Sequence, residues 1–455
     1  MTRARNRRVG GASAALVVVL LLGLLVAARA PAAVLPTGRP VAPAGIVTAL
    51  QSFPTGAAAS PDGKTVLAIA GPPIQGGAPA GPSGGVALMV IDAATGALRQ
   101  TLNVDDAFQG VLYDRAGTHA YVAGGAGATV HVFTVASDGT LSQQSDLPAS
   151  DFVSGLAISR DGHTLWAAEP TANAVERIDL TGHAKTLKRS APSPDRLALS
   201  SDGKRLFASN WRGTCVTAIL ISSAASACLH MGDHPTGVAA GPSVLLAAGS
   251  GDATLGIADP GGSSGRRLSL AQVGRRTDAP NDVVLAPDGR TAYVSLGGDD
   301  AVAVMRLAGA HSAALHGARA KAKRRRQCWI RDQHLRRHGV RATRHRRAVC
   351  ARHRGGGHGG SSHGGGSSGT PSGGGSGGSG GSGGESWQLA GLIPTGWYPT
   401  ALALSPDGKI LHVVTARGLG HSAGATQPYA EPDPAATAPD GAYATVGTLE
   451  TVKVP

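Results

Sequence analysis

The feature that most limits what this chain can become is a short repeated unit, clearest at residues 396–415, GWYPTALALSPDGKILHVVT. Residues 400–405 alternate small and apolar side chains. Pro406, Asp407 and Gly408 then supply a tight turn, Pro fixing φ and Gly taking the positive-φ position. Residues 409–415 are apolar and partly β-branched, as a buried strand requires. The same turn recurs at 60–64 (SPDGK), 114–118 (DRAGT), 159–163 (SRDGH), 200–204 (SSDGK) and 286–290 (APDGR), and in degenerate form at 239–243 (AAGPS). Successive turns lie 54, 45, 41, 40 and 46 residues apart, and the last step, to Gly408, is 119. Removing a spacer of about 77 residues from that step leaves about 42. A period of this length with four strand-like runs per unit is the signature of a β-propeller. The fold class expected is therefore all-β, with seven blades.

Closure of the ring can be tested on the sequence. The first unit has strand-like runs at 57–60, 65–70, 86–91 and 98–104, and the third at 155–159, 164–168, 174–180 and 184–188. The seventh has only three, at 400–405, 409–415 and 448–454. IVTALQSF, residues 46–53, precedes the first turn and has no other partner. It is expected to complete blade 7 as its outer strand, which ties the ends together and leaves no half-built blade. Residues 45–310 then form blades 1–6, and 387–455 the end of blade 6 and blade 7.

Charge separates two further segments. The chain carries +13 in all, yet Arg3, Arg5, Arg7, Arg8 and Arg29 lie in a leader, and fifteen Lys/Arg stand against the single acid Asp332 between Arg319 and Arg354. The remainder is mildly acidic, at about −6. Residues 1–33 read as a secretory signal peptide: a basic start, an apolar core at 14–26 too short to span a bilayer, then small residues. An uncleaved anchor is the alternative. The mature chain then has no transmembrane span and is expected to be a monomer, secreted or in the cell envelope.

Residues 311–386 interrupt blade 6 between its third and fourth strands as a basic and Gly/Ser-rich insertion expected to be disordered. Arg324, Arg325, Arg326, Arg336, Arg337, Arg346 and Arg347 are its candidate polyanion contacts, for an anionic wall polymer, lipid headgroups or nucleic acid. With Trp329 as its only aromatic, the patch lacks the stacking expected of a single-strand binder. A tolerated insertion without a ligand is the other reading. His353, His358 and His363 lack a rigid frame for a metal. Two cysteine pairs are disulfide candidates in an exported chain: Cys215 with Cys228, expected opposite each other on neighbouring strands of blade 4, and Cys328 with Cys350 in the insertion.

The units resemble the YVTN-type β-propeller repeat, carried by HPTGVAAGP, NDVVLAPDGRTAYVS, PTALALSPDGKILHVV and VALMVIDAATG. IPTGWYPTALALSPDGK with ARGLG is similar to the last blade of secreted proteins in which such a propeller precedes an alkaline-phosphatase-like phosphoesterase domain. That resemblance implies an enzyme domain beginning where this sequence stops, at Pro455. The chain carries no metal-ligand Asp/His set or nucleophile of such a domain, so its catalysis does not carry over. VHVFTVASDGTLSQ, residues 130–143, resembles a strand-turn-strand of seven-bladed lactonases.

By analogy with the fold, ligands are expected on the face bearing the loops between second and third strands and between blades. Two long loops, 71–84 and 418–447, belong to neighbouring blades there. Asp195, Trp211, His234, Asn281, Trp397 and Tyr398 are the candidate rim residues, although Trp397 and Tyr398 also suit the packing of a blade corner. The insertion is expected to leave from the opposite face. Asp195, Asp252 and Asp282 read as turn residues capping backbone N–H groups, and Glu169 and Glu176 share a blade without forming a required acid/base pair. There is no P-loop, HExxH, GxSxG or CxxC, and no catalytic set, metal site or cofactor is expected.

The reading is a non-catalytic exported propeller that binds or scaffolds a protein or cell-wall polymer. Its alternatives are a lactonase-like hydrolase working at the channel mouth and the propeller part of a longer phosphoesterase fusion. Clustered carboxylate, His and Arg side chains at the mouth would favour the enzyme; a small or apolar lining would favour the scaffold.

Overall fold

The computed structural model describes residues 33–34, 40–70, 86–182, 185–189, 192–271, 279–308, 386–417 and 446–454. Residues 1–32 of the leader, the loop at 71–84, nearly all of that at 418–447, and 309–385 of the insertion, with Cys328, Cys350, its arginines and its histidines, lie outside them. Two compact units are distinguished, Met1–Met305 with Leu389–Pro455, and Arg306–Gln388. The first holds the propeller. Of the second, the described residues are the ends of two strands of blade 6.

Every element among the described residues is a β-strand. Blade 1 runs Pro54–Ala59, Thr65–Ala70, Val86–Asp92, Leu98–Val104, from inner to outer strand. Blade 3 is Leu156–Ile158, Thr164–Glu169, Ala174–Asp179, Lys185–Arg189, and blade 4 is Pro194–Leu199, Arg205–Asn210, Cys215–Leu220, Ser226–His230. Blade 5 is Pro235–Ala240, Leu245–Gly249, Thr254–Ala258, Gly265–Ser269, and blade 6 is Pro280–Leu285, Thr291–Leu296, Ala301–Ala308, Ser386–Pro394. Blade 7 takes Pro399–Leu404, Ile410–Thr415 and Val446–Lys453 from the end of the chain and Ile46–Ser52 from its beginning. The closing register sets Ile46 opposite Thr451 and Ala49 opposite Thr448, the expected seal. Blade 2 departs from four plain strands. After Val111–Tyr113, His119–Ala123 and Thr129–Val135, its outer strand breaks into Leu141–Gln143 and Leu147–Pro148.

Second strands are buried along nearly their whole length because both faces of each sheet meet a neighbouring sheet. The Asp-Gly turns build themselves. Ser60 Oγ donates to Asp62 Oδ1 at 2.6 Å and accepts from Thr65 N at 3.0 Å, while Asp62 Oδ1 accepts from Lys64 N at 3.0 Å. Ser200 with Asp202 and Ser405 with Asp407 repeat the arrangement.

Inner strands begin earlier than expected in blades 1 and 7, at Pro54 and Pro399. A proline opening a strand has no ladder bond to donate, and the register shifts between Pro54 and Gly56 and between Pro399 and Ala401. The residue after this opening position stitches one blade to the next. Ser154 Oγ reaches the carbonyl of Pro194 at 3.4 Å and that of Asp195 at 2.9 Å, Thr236 Oγ1 that of Pro280 at 3.2 Å, and Asn281 Nδ2 that of Pro399 at 2.9 Å. Thr400 Oγ1 donates to the carbonyl of Pro54 at 3.0 Å.

Cys215 and Cys228 are joined as a disulfide, with Cα atoms 5.5 Å apart. They are not directly opposite: Cys215 faces His230 and Cys228 faces Thr217, so the bridge runs diagonally. A slip of two residues keeps both side chains on one face of the sheet, because side chains alternate with period two.

Candidate functional site

The channel is built from the third residue of the pattern that opens each inner strand at Pro54, Pro194, Pro235, Pro280 and Pro399, and from its equivalents just ahead of the inner strands of blades 2 and 3. Five blades place Gly56, Gly110, Gly155, Gly237 and Ala401 there, so that sheets converge closely. A Cβ on Gly56 would run into the Gln109 carbonyl, and one on Gly155 into that of Asp195. Blades 4 and 6 place Arg196 and Asp282 instead. Arg196 spans the channel. Its Nε donates to Gln109 Oε1 at 3.0 Å and its Nη2 to the Thr55 carbonyl at 3.3 Å. Gln109 Nε2 in turn donates to Asp195 Oδ1 at 2.9 Å. Asp282 accepts the backbone N–H of Val283 on Oδ1 and of Leu402 on Oδ2, both at 2.9 Å, clasping blade 6 to blade 7.

Burial pushes the Asp195 carboxyl up to about 6; Arg196 pulls it down, and Asp282 adds to the rise. Burial raises Asp282 too, against the pull of Arg196 and two N–H donors. What remains open is a cavity of about 170 Å³ touching Gln109, Leu156, Arg196, Val238, Asp282 and Leu402.

Two expectations are corrected here. Asp195 and Asp282 are not turn residues; both stand in inner strands and are buried in the channel wall. Asp252 is one, accepting from Thr254 Oγ1 at 2.6 Å and pairing with Arg267 at 3.2 Å. Arg196, Gln109 and Asp282 were missed as channel groups. Their signal was present: in inner strands aligned on PTG, an Arg and an Asp stand where other blades have Gly or Ala.

The six rim candidates fall into three places. Asp195 is in the channel. Trp211, half exposed, meets His234 edge to face at 6.2 Å, and His234 Nδ1 lies 3.2 Å from Asp233. Asn281, Trp397 and Tyr398 sit where blades 6 and 7 meet. Tyr398, at φ +62°, is held by its N–H to Asp300 Oδ1 at 3.0 Å, and its ring lies against Gly297 beside Asn281. The Arg417 guanidinium stacks 4.7 Å from the Trp397 ring. This is corner packing.

Glu169 and Glu176 do form a pair, on adjacent strands of blade 3 and fully buried. Glu169 Oε1 accepts from Ser150 N at 3.0 Å and Asp151 N at 3.2 Å, and Ser150 Oγ donates to Glu176. Burial first, then the Glu176 charge, pushes Glu169 up to about 7, as expected where two carboxyls share a buried site. Among the described residues no group of three or more His, Cys, Asp or Glu is placed to hold a metal.

A larger hollow of about 1080 Å³ opens between blades 2 and 3, on the side of the Asp-Gly turns. Turns 114–119 and 160–163, the break at 144–148 and Ile178, Leu180, Thr181 and Lys185 line it.

No protein-family model and no curated protein matches the sequence. Solved structures do match. The Kuenenia stuttgartiensis hydrazine synthase aligns over 80% of this chain and 93% of its own, with TM-score 0.53 and 18% identity. The WD40 repeats of RRP9 align over 90% and 99%, with TM-score 0.55 and 10% identity. A streptogramin B lyase aligns over 90% and 98%, with TM-score 0.51 and 8% identity. The fold is a seven-bladed β-propeller. At these identities the likeness extends to the fold alone.

Proposed function

We propose that the chain is an exported, non-catalytic propeller of the YVTN-repeat kind. It would bind or scaffold a partner in the cell envelope, with its cationic insertion contacting anionic polymer. The observation that carries this reading is how the channel's charges are used. Charged groups with displaced acidities do cluster there, the pattern that would favour a hydrolase. Yet Arg196 is occupied by Gln109 and the Thr55 carbonyl, Asp195 by Gln109, and Asp282 by two backbone N–H groups. These bonds join blades 1, 2, 4, 6 and 7. The cavity of about 170 Å³ beside them is smaller than the roughly 300–1,000 Å³ of ordinary small-molecule sites. WD40 propellers among the structural neighbours suit a binding role by fold analogy.

Two measurements test the reading. The full chain should be retained on anionic wall polymer or DNA, and deletion of residues 319–354 should abolish retention; equal retention would end the polyanion part. A panel of lactones should show no turnover. Hydrolysis that disappears in both D195N and D282N would replace the scaffold with the enzyme.

A further inference from the structure

We infer that the hollow between blades 2 and 3 is a docking groove for an extended acidic segment of a partner protein, one in which carboxylates flank apolar side chains. The inference rests on the binding-module reading above and gives it a location and a ligand chemistry.

The hollow has a structural cause. The third-to-outer turn of blade 2 is tied back to blade 1. Gln100 Nε2 donates to the Leu141 carbonyl at 2.9 Å, Leu141 N donates to Gln100 Oε1 at 2.7 Å, and Arg99 Nη1 donates to the Asp138 carbonyl at 2.6 Å. The outer strand follows that turn towards blade 1, breaks after Gln143, and resumes at Leu147. The crevice on its other side, towards blade 3, is left open.

Its chemistry is sorted. The floor is apolar, from Val132, Leu147, Ile178 and Leu180. The carboxylates at its edge are engaged locally: Asp114 with Thr118 and His119, Asp161 with Ser159 and His163 N, and Asp146 with Gln143 Nε2 at 3.3 Å. The cations are not. Arg115, Arg160 and Lys185 are exposed around the hollow and have no ion-pair partner among the described residues. Unspent positive charge over an apolar floor complements a chain bearing both carboxylates and aliphatic groups. A uniform polyanion fits less well, since the apolar floor offers phosphates nothing. The volume, about 1080 Å³, exceeds ordinary metabolite pockets.

The test uses the full chain and short synthetic peptides in which Asp and Glu flank Leu and Ile, each carrying a fluorophore and a photo-reactive group. Anisotropy titration should show binding that weakens about tenfold or more in the triple variant R115E/R160E/K185E. It should also weaken when the peptide's Leu and Ile become Ser. Q100A, which changes no charge, should weaken it too by releasing the turn of blade 2. Cross-links should map to 114–119, 144–148, 160–163, Ile178, Leu180, Thr181 or Lys185. Circular dichroism checks that the variants fold, and the single variants R115E and R160E serve if the triple one does not. Unchanged affinity in the charge-reversed protein, indifference to loss of the aliphatic side chains, or cross-links confined to 319–354 would each overturn the proposal. So would binding of polyphosphate, but not peptide, at these residues. Retention on wall polymer is proposed to depend on 319–354, a different segment, so the groove can fail while the scaffold reading stands.

Discussion

Thr400 Oγ1 donates to the carbonyl oxygen of Pro54 across 3.0 Å, joining residues 346 positions apart in the chain. The bond lies between the inner strands of the last and first blades, where the ring meets itself. The same hydroxyl also approaches the Val414 carbonyl at 3.3 Å. Thr400→Val keeps the shape and removes the donor, and should cost about 1 kcal/mol. Thr400→Ser should be close to neutral. Deleting Ile46–Ser52 strips blade 7 of its outer strand and should cost far more, because an open sheet edge is left at the seam. Urea unfolding of the three variants checks the order; a valine variant as stable as the parent would remove the hydroxyl from the account.

Gly56 and Gly162 should respond very differently to alanine. Gly162 sits at φ +74° in a turn with nothing near its missing Cβ, so Gly162→Ala meets only the left-handed backbone penalty, about 1 kcal/mol. A methyl at Gly56 would strike the Gln109 carbonyl of the next blade. Gly56→Ala should therefore cost several times more, since backbone must shift and the Arg196–Gln109 bond moves with it. Comparison of melting temperatures decides; equal effects would mean that the sheets do not converge on these glycines.

How legible this was depended on distance along the chain. The turn at Ser405–Asp407 declares itself within a few residues, because side chain and backbone satisfy each other locally. Closure was legible as a strand count: three runs at one end, one spare at the other. The Arg196–Gln109–Asp195 chain was not, since its members belong to blades 4 and 2 and meet only when the ring closes. The cysteine register failed for a smaller reason. Ala224 takes φ +57° and the turn closes from Leu220 to Ala225, which sets the ladder two residues from the alignment expected.

The disulfide gives a third prediction. Cys215 and Cys228 are 13 residues apart, and a bridge closing a loop near that length contributes about 3 kcal/mol, chiefly by restricting the unfolded chain. Replacing both by Ser should lower the free energy of unfolding by that order and leave the parent, once reduced, no more stable than the variant. A melting temperature indifferent to dithiothreitol would sink this.

The buried carboxyls set the dependence of stability on pH. Glu169 is held up to about 7 by burial and the neighbouring Glu176, and Glu450 up to about 8 by burial, opposed by the N–H of Gly396 and the Thr448 hydroxyl. In the unfolded chain both ionise near 4.5. Between those values the folded state holds the extra protons, so stability falls as pH rises: over about 4.5 to 7 for Glu169, and up to about 8 for Glu450. Each proton contributes at most roughly 1.4 kcal/mol per pH unit. His412 acts the other way. Burial lowers it to about 4, so below about 6.5 the unfolded state takes the proton, and this part of the stability is lost on acidification. Glu169→Gln and Glu450→Gln keep one acceptor oxygen, the number that the N–H bonds to each side chain use, and abolish ionisation. Each should flatten the decline between about pH 5 and 8 and make the protein more stable than the parent at the alkaline end. Urea midpoints measured across that range check it; parallel curves for parent and variants would show that these carboxyls ionise alike in both states.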